Sequence, residues 1–219
     1  MATLDELEKI KAELEAELER VNAEIEKRKE MSTESVYGTL QQIGNQCHVA
    51  QNSADIWKNT PLKHINTLKP DFSGKMGEQF VERVCQACEI LNTNTGDKNS
   101  KDGTYDQKIM SKKVEIKTAR LGGGKYQHET LKMEGCDFWL FLDVHPNGGF
   151  MTIMQQFDLM QRHPITGTTP TRRKGTTDVF KWDFTEPHLK KLVTAGMTFE
   201  FDKTTPMCNL GEFMKSKLA

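Results

Sequence analysis

Asp106-Gln-Lys-Ile-Met-Ser-Lys-Lys-Val114-Glu115-Ile116-Lys117 is the stretch on which the reading of this chain turns. A strand over 113–119 alternates its side chains between faces. Val114 and Ile116 then enter a core while Glu115 and Lys117 share the opposite face. A short strand over 104–110, turned back at Ser111 and Lys112, brings Asp106 beside Glu115. Asp102 competes with Asp106 for that first acidic position. Two carboxylates at such range suit a hard divalent cation such as Mg²⁺, and a lysine on the same face can orient or deprotonate a water. Metal, carboxylates and lysine together suit hydrolysis of a phosphodiester.

The flanks place this stretch in a domain. Ser73-Gly-Lys-Met-Gly77-Glu78 opens a helix over 73–91, whose Phe80, Val81, Val84, Cys85, Cys88 and Leu91 recur at helical spacing. Asn92-Thr-Asn-Thr-Gly96 ends it, and 92–103 reads as a loop. After the lysine, Leu121-Gly-Gly-Gly124 is a hinge leading into 125–132. Asp137-Phe-Trp-Leu-Phe-Leu-Asp-Val144 is nearly all apolar and aromatic, as a central strand covered on both faces must be. Pro146-Asn-Gly-Gly149 turns into a strand over 150–154, and 155–161 reads as a helix. The predicted order is helix, four strands, helix: an α/β (α+β) domain.

The Asp…Glu-X-Lys set in this order of elements resembles the PD-(D/E)XK nuclease superfamily, small type II restriction endonucleases above all, over roughly 73–161. Tyr105 stands where that family often has proline. The resemblance implies a restriction-endonuclease-like αβββ core with a mixed central sheet. It implies Asp106 and Glu115 as Mg²⁺ ligands, the Ile116 carbonyl as a further ligand, and Lys117 positioning the attacking water. In that family the helix before the Asp strand often begins Gly-Glu, and its acid can join the metal site. Glu78 occupies this place, although the helix dipole alone would explain a Glu in a first turn. The implied activity is Mg²⁺-dependent, sequence-specific cleavage of double-stranded DNA by a homodimer, two active sites facing a palindrome. A repair nuclease or junction resolvase of the same fold is one alternative. A non-catalytic coiled-coil DNA-binding protein is the other. No G-x-x-x-x-G-K-[ST] loop suggests a motor.

Two segments are candidates for contact with DNA. Residues 120–132 offer Arg120, Lys125, Gln127 and His128; Gln pairs bidentately with adenine and His donates to guanine acceptors. An ordinary polar surface loop is the competing reading. Residues 163–178 are rich in hydroxyls, glycine and base, with Arg172, Arg173 and Lys174 in a row suited to phosphates. Phe180, Trp182 and Phe184 then alternate as in a half-buried strand.

The 219 residues hold one domain plus an appendage. Residues 3–30 read as one helix with Leu4, Leu18 and Ile25 on one heptad position and Leu7, Leu14 and Val21 on another, interrupted by Lys11 and Arg28. Residues 1–30 therefore form an arm, for a coiled coil or for folding back, ahead of an endonuclease domain over 31–219. A helix over 36–56 and a connector between Pro61 and Pro70 complete the chain. The formal charge of −1 hides an asymmetry, because residues 1–30 carry ten acids and six bases and leave the remainder at +3. That remainder tolerates a modest, salt-sensitive attraction to DNA. Five cysteines, Cys85-Gln-Ala-Cys88 among them, lack a second metal-ligand pair and read as packed free thiols in a reducing, cytoplasmic setting. No stretch has the roughly 18 apolar residues of a membrane span.

Overall fold

The run anticipated at 137–144 lies in the middle of a six-stranded sheet, and the chain is arranged about it. The computed structural model describes residues 4–33, 35–49, 60–94, 105–133 and 135–219. Helices α1 (Leu4–Thr33), α2 (Val36–Val49), α3 (Lys63–Thr67) and α4 (Pro70–Ala87) come first. Strands β1 (Asn92–Asn94), β2 (Gln107–Ile109), β3 (Lys112–Arg120), β4 (Tyr126–Lys132), β5 (Phe138–His145) and β6 (Gly148–Gln155) follow. The last third holds β7 (Thr171–Arg172), β8 (Val179–Phe184), α5 (Glu186–Thr194), β9 (Thr198–Asp202) and α6 (Met207–Leu218).

The large sheet has the order β1-β2-β3-β5-β6-β9. It is mixed, because β3 and β5 run parallel while its other neighbours are antiparallel. A second sheet, β4-β8-β7, is antiparallel throughout. Successive residues of β5 feed opposite cores. Leu140 and Leu142 pack with Phe80, Val81 and Val84 of α4, Val114 and Ile116 of β3, and Leu210 and Met214 of α6. Trp139 and Phe141 pack with Trp182 and Phe184 of β8 and Leu189 and Leu192 of α5. Each such large side chain, fully removed from water, contributes about 1.5–3 kcal/mol. The result is three layers, helices on sheet on smaller sheet.

Several boundaries depart from the sequence reading for local reasons. The helix expected from Ser73 begins at Pro70, whose ring is pre-set for a first turn, with Lys69 extended before it. It ends in a turn closed by the Ile90 N–H donating to the Cys85 carbonyl at 2.9 Å, with Glu89 left-handed at φ 53°. The start of the loop expected at 92–103 is the edge strand β1. The helix expected over 155–161 is absent. There Asp158 takes the Met160 N–H at 2.9 Å and the Gln161 side chain at 3.2 Å, and such local capture competes with helix formation. The segment expected over 125–132 is β4 of the second sheet, Tyr126–Lys132, entered through a tight turn at 122–125. The helix expected over 36–56 is seen to Val49; 50–56 lie outside the described residues, as do Asp102 and most of the expected loop.

The expected N-terminal helix is α1. It touches α4 and α6, yet Ile10, Leu14, Leu18, Val21 and Ile25 along it are exposed. Among the described residues no helix is long and apolar enough to cross a membrane.

Candidate active site

Strand β2 pairs with β3 only as far as Gln107 opposite Val114. The Asp106 N–H continues the ladder, donating to the Val114 carbonyl at 3.0 Å. Its side chain then turns along the β3 edge, and Oδ2 accepts the Ile116 N–H at 2.7 Å. A carboxylate thus stands where the next ladder residue would be. The N–H and C=O of one strand residue leave by the same edge, so the Ile116 carbonyl is directed to this side too.

Glu115 and Lys117 share one face of β3, as the alternation predicts. Lys117 Nζ lies 2.5 Å from Glu115 Oε1, each side chain 19% exposed. Lys117 Nζ also donates to Thr130 Oγ1 at 3.5 Å.

Glu78 joins the group from α4. Because that helix starts at Pro70, Glu78 sits in its third turn and the dipole explanation for an acid there lapses. What puts it there is a close approach of helix to strand. A Cβ on Gly77 would stand 1.8 Å from Thr118 Oγ1, so a glycine is required where α4 crosses β3. Gln107 clamps the same junction: its Nε2 donates to the Glu78 carbonyl at 2.9 Å while its Oε1 accepts from Asn92 at 2.8 Å. Gln107 was missed from sequence, and its position directly after Asp106 was the only signal.

The electrostatics follow from crowding. Burial, then the charges of Asp106 and Glu115, push the Glu78 carboxyl up. Burial pushes Asp106 up, against the Ile116 N–H and the Lys117 ammonium. Burial also pushes Glu115 up, opposed mainly by Lys117 and reinforced by Asp106. Lys117 acts on all three carboxyls, Lys75 also eases Glu78 and Lys132 also eases Glu115, yet burial still pushes all three up, which favours a further cation among them. Asp106, Glu115 and the Ile116 carbonyl offer oxygen donors, the chemistry Mg²⁺ prefers, and that ion ordinarily takes one or two carboxylates and keeps several waters. Among the described residues no group of three or more His, Cys, Asp or Glu side chains is arranged to hold a metal by itself.

The expected DNA-contacting residues divide. His128 is 2% exposed and faces the core, its Nε2 2.9 Å from Asp143 Oδ1 and its ring against Phe141 and Phe184. A base edge cannot reach it, because alternation along β4 turns it inward. Arg120 is drawn to the carbonyls of Leu68 and Ile65, where burial lowers its pKa, so its guanidinium secures the α3–α4 connection. Lys125 reaches Asp183 at 2.6 Å. With its amide oxygen turned toward them, exposed Gln127 accepts from Lys125 and Lys181 at 3.1 Å each. Arg172, Arg173 and Lys174 are exposed, Arg172 lying over the Phe180 ring. The first part of 163–178 is built rather than loose: His163 and Thr166 are buried, and the His163 N–H donates to the Thr168 carbonyl at 2.8 Å.

The chain matches no protein-family model. It is similar to no curated protein.

Proposed function

We propose that the protein is a Mg²⁺-dependent endonuclease that hydrolyses phosphodiester bonds of double-stranded DNA at a specific sequence, in the manner of a type II restriction enzyme, working as a pair of chains. The observation that carries this reading is the convergence of Asp106, Glu115 and Lys117, with Glu78, at the point where β2 leaves the edge of β3. The carboxylates of Asp106 and Glu115 and the Ile116 carbonyl hold the cation. Bound there, Mg²⁺ supplies charge neutralisation at the scissile phosphate and a water of lowered pKa. Lys117 Nζ orients the attacking water and faces the negative charge that builds on the phosphate oxygens. Glu78 adds negative charge that tightens the site's hold on a cation. Arg172, Arg173 and Lys174 contact phosphates, which positions the duplex without reading it.

Digestion of plasmid and phage DNA with Mg²⁺, with and without EDTA, tests the reading. Discrete fragments with common ends are expected, abolished by EDTA. Smearing or selective cutting of branched DNA would instead indicate a repair nuclease or resolvase. Absence of cleavage with every divalent metal tried would overturn the enzymatic reading. Lys117→Ala should abolish cutting and leave DNA binding largely intact.

A further inference from the structure

Thr130 sits in the middle of β4 at φ 61°. A β-branched residue enters that left-handed region only when its surroundings compel it. The compulsion here is a bulge. His128 pairs with Trp182 but Leu131 pairs with Phe180, so three steps on β4 oppose two on β8. Regular alternation would send residues 128 and 131 to opposite faces. The extra residue lets both point into the core, 2% and 0% exposed, and leaves Glu129 and Thr130 outside.

The bulge also aims Thr130 at the candidate site. Its hydroxyl donates to the Glu129 carbonyl at 2.6 Å. A lone pair is thereby left toward Lys117 Nζ, 3.5 Å away. Lys117 thus has two oxygen partners of different kinds, the charged Glu115 and the neutral Thr130. We propose that Thr130 is a positioning residue for Lys117: the bulge supplies a neutral acceptor that keeps the ammonium in place once Glu115 is engaged by a cation. This rests on the nuclease reading above. A neutral partner suits the task because it does not compete for the metal and does not weaken the ammonium's pull on the phosphate.

The test compares full-length wild type with Thr130→Gly and Thr130→Ser, measuring Tm in EDTA and kcat and KM for DNA cleavage in Mg²⁺. Glycine accepts a positive φ, so Thr130→Gly should leave Tm unchanged or raise it by up to about 4 °C. It should lower kcat by about 10- to 100-fold with KM nearly unchanged, the signature of a misplaced catalytic group. Thr130→Ser keeps the hydroxyl and should stay within about three-fold of wild type. A Thr130→Gly protein with wild-type kcat, or one that melts several degrees lower, would show that the residue serves only the fold. A serine variant as slow as the glycine variant would also overturn the proposal, since the hydroxyl would not be the acting group. If wild type itself cuts nothing, the nuclease reading falls and this proposal with it; if wild type cuts and Thr130→Gly cuts as well, only the proposal falls.

Discussion

Asp106 Oδ2 accepts the Ile116 N–H at 2.7 Å, so one carboxylate of the site is fastened to the residue that separates the other, Glu115, from Lys117. The bond fixes where the Asp106 carboxylate stands along the β3 edge, beside the strand that carries Glu115 and Lys117. Such placement before substrate arrives is what electrostatic stabilisation of a developing charge requires.

The crowding predicts a stability profile. A carboxyl whose folded pKa is raised contributes most to folding below its unfolded value, about 3.9 for Asp, and loses that contribution as pH rises through the raised value. Asp106 is such a group, chiefly through burial. Asp106→Asn, whose amide oxygen can still accept from Ile116, should melt about 2–4 °C above wild type at pH 7.5 in EDTA. The gap should close below about pH 4, where wild type is protonated too. Mg²⁺ should raise the Tm of wild type and leave the variant nearly unmoved. Calorimetry across pH, with and without the ion, measures all three.

Gly77 meets Thr118 with no room for a methyl group. Gly77→Ala should cost about 1–3 kcal/mol by overpacking, and it should push Glu78 away from the site. Thr118 Oγ1 is buried without a hydrogen-bond partner, so Thr118→Ala alone should be mild. Combined with Gly77→Ala it should recover part of the stability, giving a coupling of about 0.5–3 kcal/mol in a denaturation cycle.

His128 and Asp143 are both fully buried side chains, and burial pushes the Asp143 carboxyl up. His128→Ala empties a packed site and leaves Asp143 without its polar neighbour, so it should destabilise by about 2–5 kcal/mol. Were His128 a reader of DNA instead, the same change would leave the Tm alone and relax sequence preference. Thermal melts beside cleavage of a fixed fragment distinguish the two.

If the proposed pairing of chains uses the N-terminal arm, the exposed apolar stripe on α1 is where it would rest. Leu14 and Leu18 are 66% and 60% exposed. On the proposed pairing through α1, Leu14→Lys with Leu18→Lys should lower the mass in light scattering to that of one chain while the Tm changes little, because neither side chain is packed within the chain. A double variant that keeps its dimeric mass would place the pairing surface elsewhere.

How much of this was legible depends on how local the cause was. Val114-Glu115-Ile116-Lys117 could be read because strand alternation is decided within a few residues, and the apolar run through Val144 announced burial on both faces. Glu78 was placed beside the acids from the Gly77-Glu78 pair, but the reason glycine is needed, Thr118 on another element, was invisible. The inward direction of His128 follows from plain alternation along β4 once β8 is its partner, and that pairing was invisible in the local sequence. The hold on Arg120 was invisible for a similar reason, since the carbonyls it bonds belong to α3 and its exit, more than fifty residues earlier. Gln107 looked like any polar strand residue until Asn92 and the Glu78 carbonyl stood on either side of it.

Among the described residues, Arg172, Arg173 and Lys174 form an exposed run of bases, proposed above to bind phosphates, whereas Arg120 bonds backbone carbonyls. Each phosphate that the protein no longer neutralises should flatten the plot of log binding constant against log salt by about 0.9. Arg173→Ala with Lys174→Ala, measured on catalytically silent Lys117→Ala protein, should therefore reduce the slope by about two and weaken cognate and unrelated duplexes alike. Arg120→Ala should behave differently, lowering the Tm because its bonds to Leu68 and Ile65 are gone while leaving the salt slope of the surviving folded protein unchanged. A double variant with an unaltered slope would remove 172–174 from the DNA path. Weaker binding to one sequence only would mean instead that these side chains read bases, because phosphates carry no sequence information of their own.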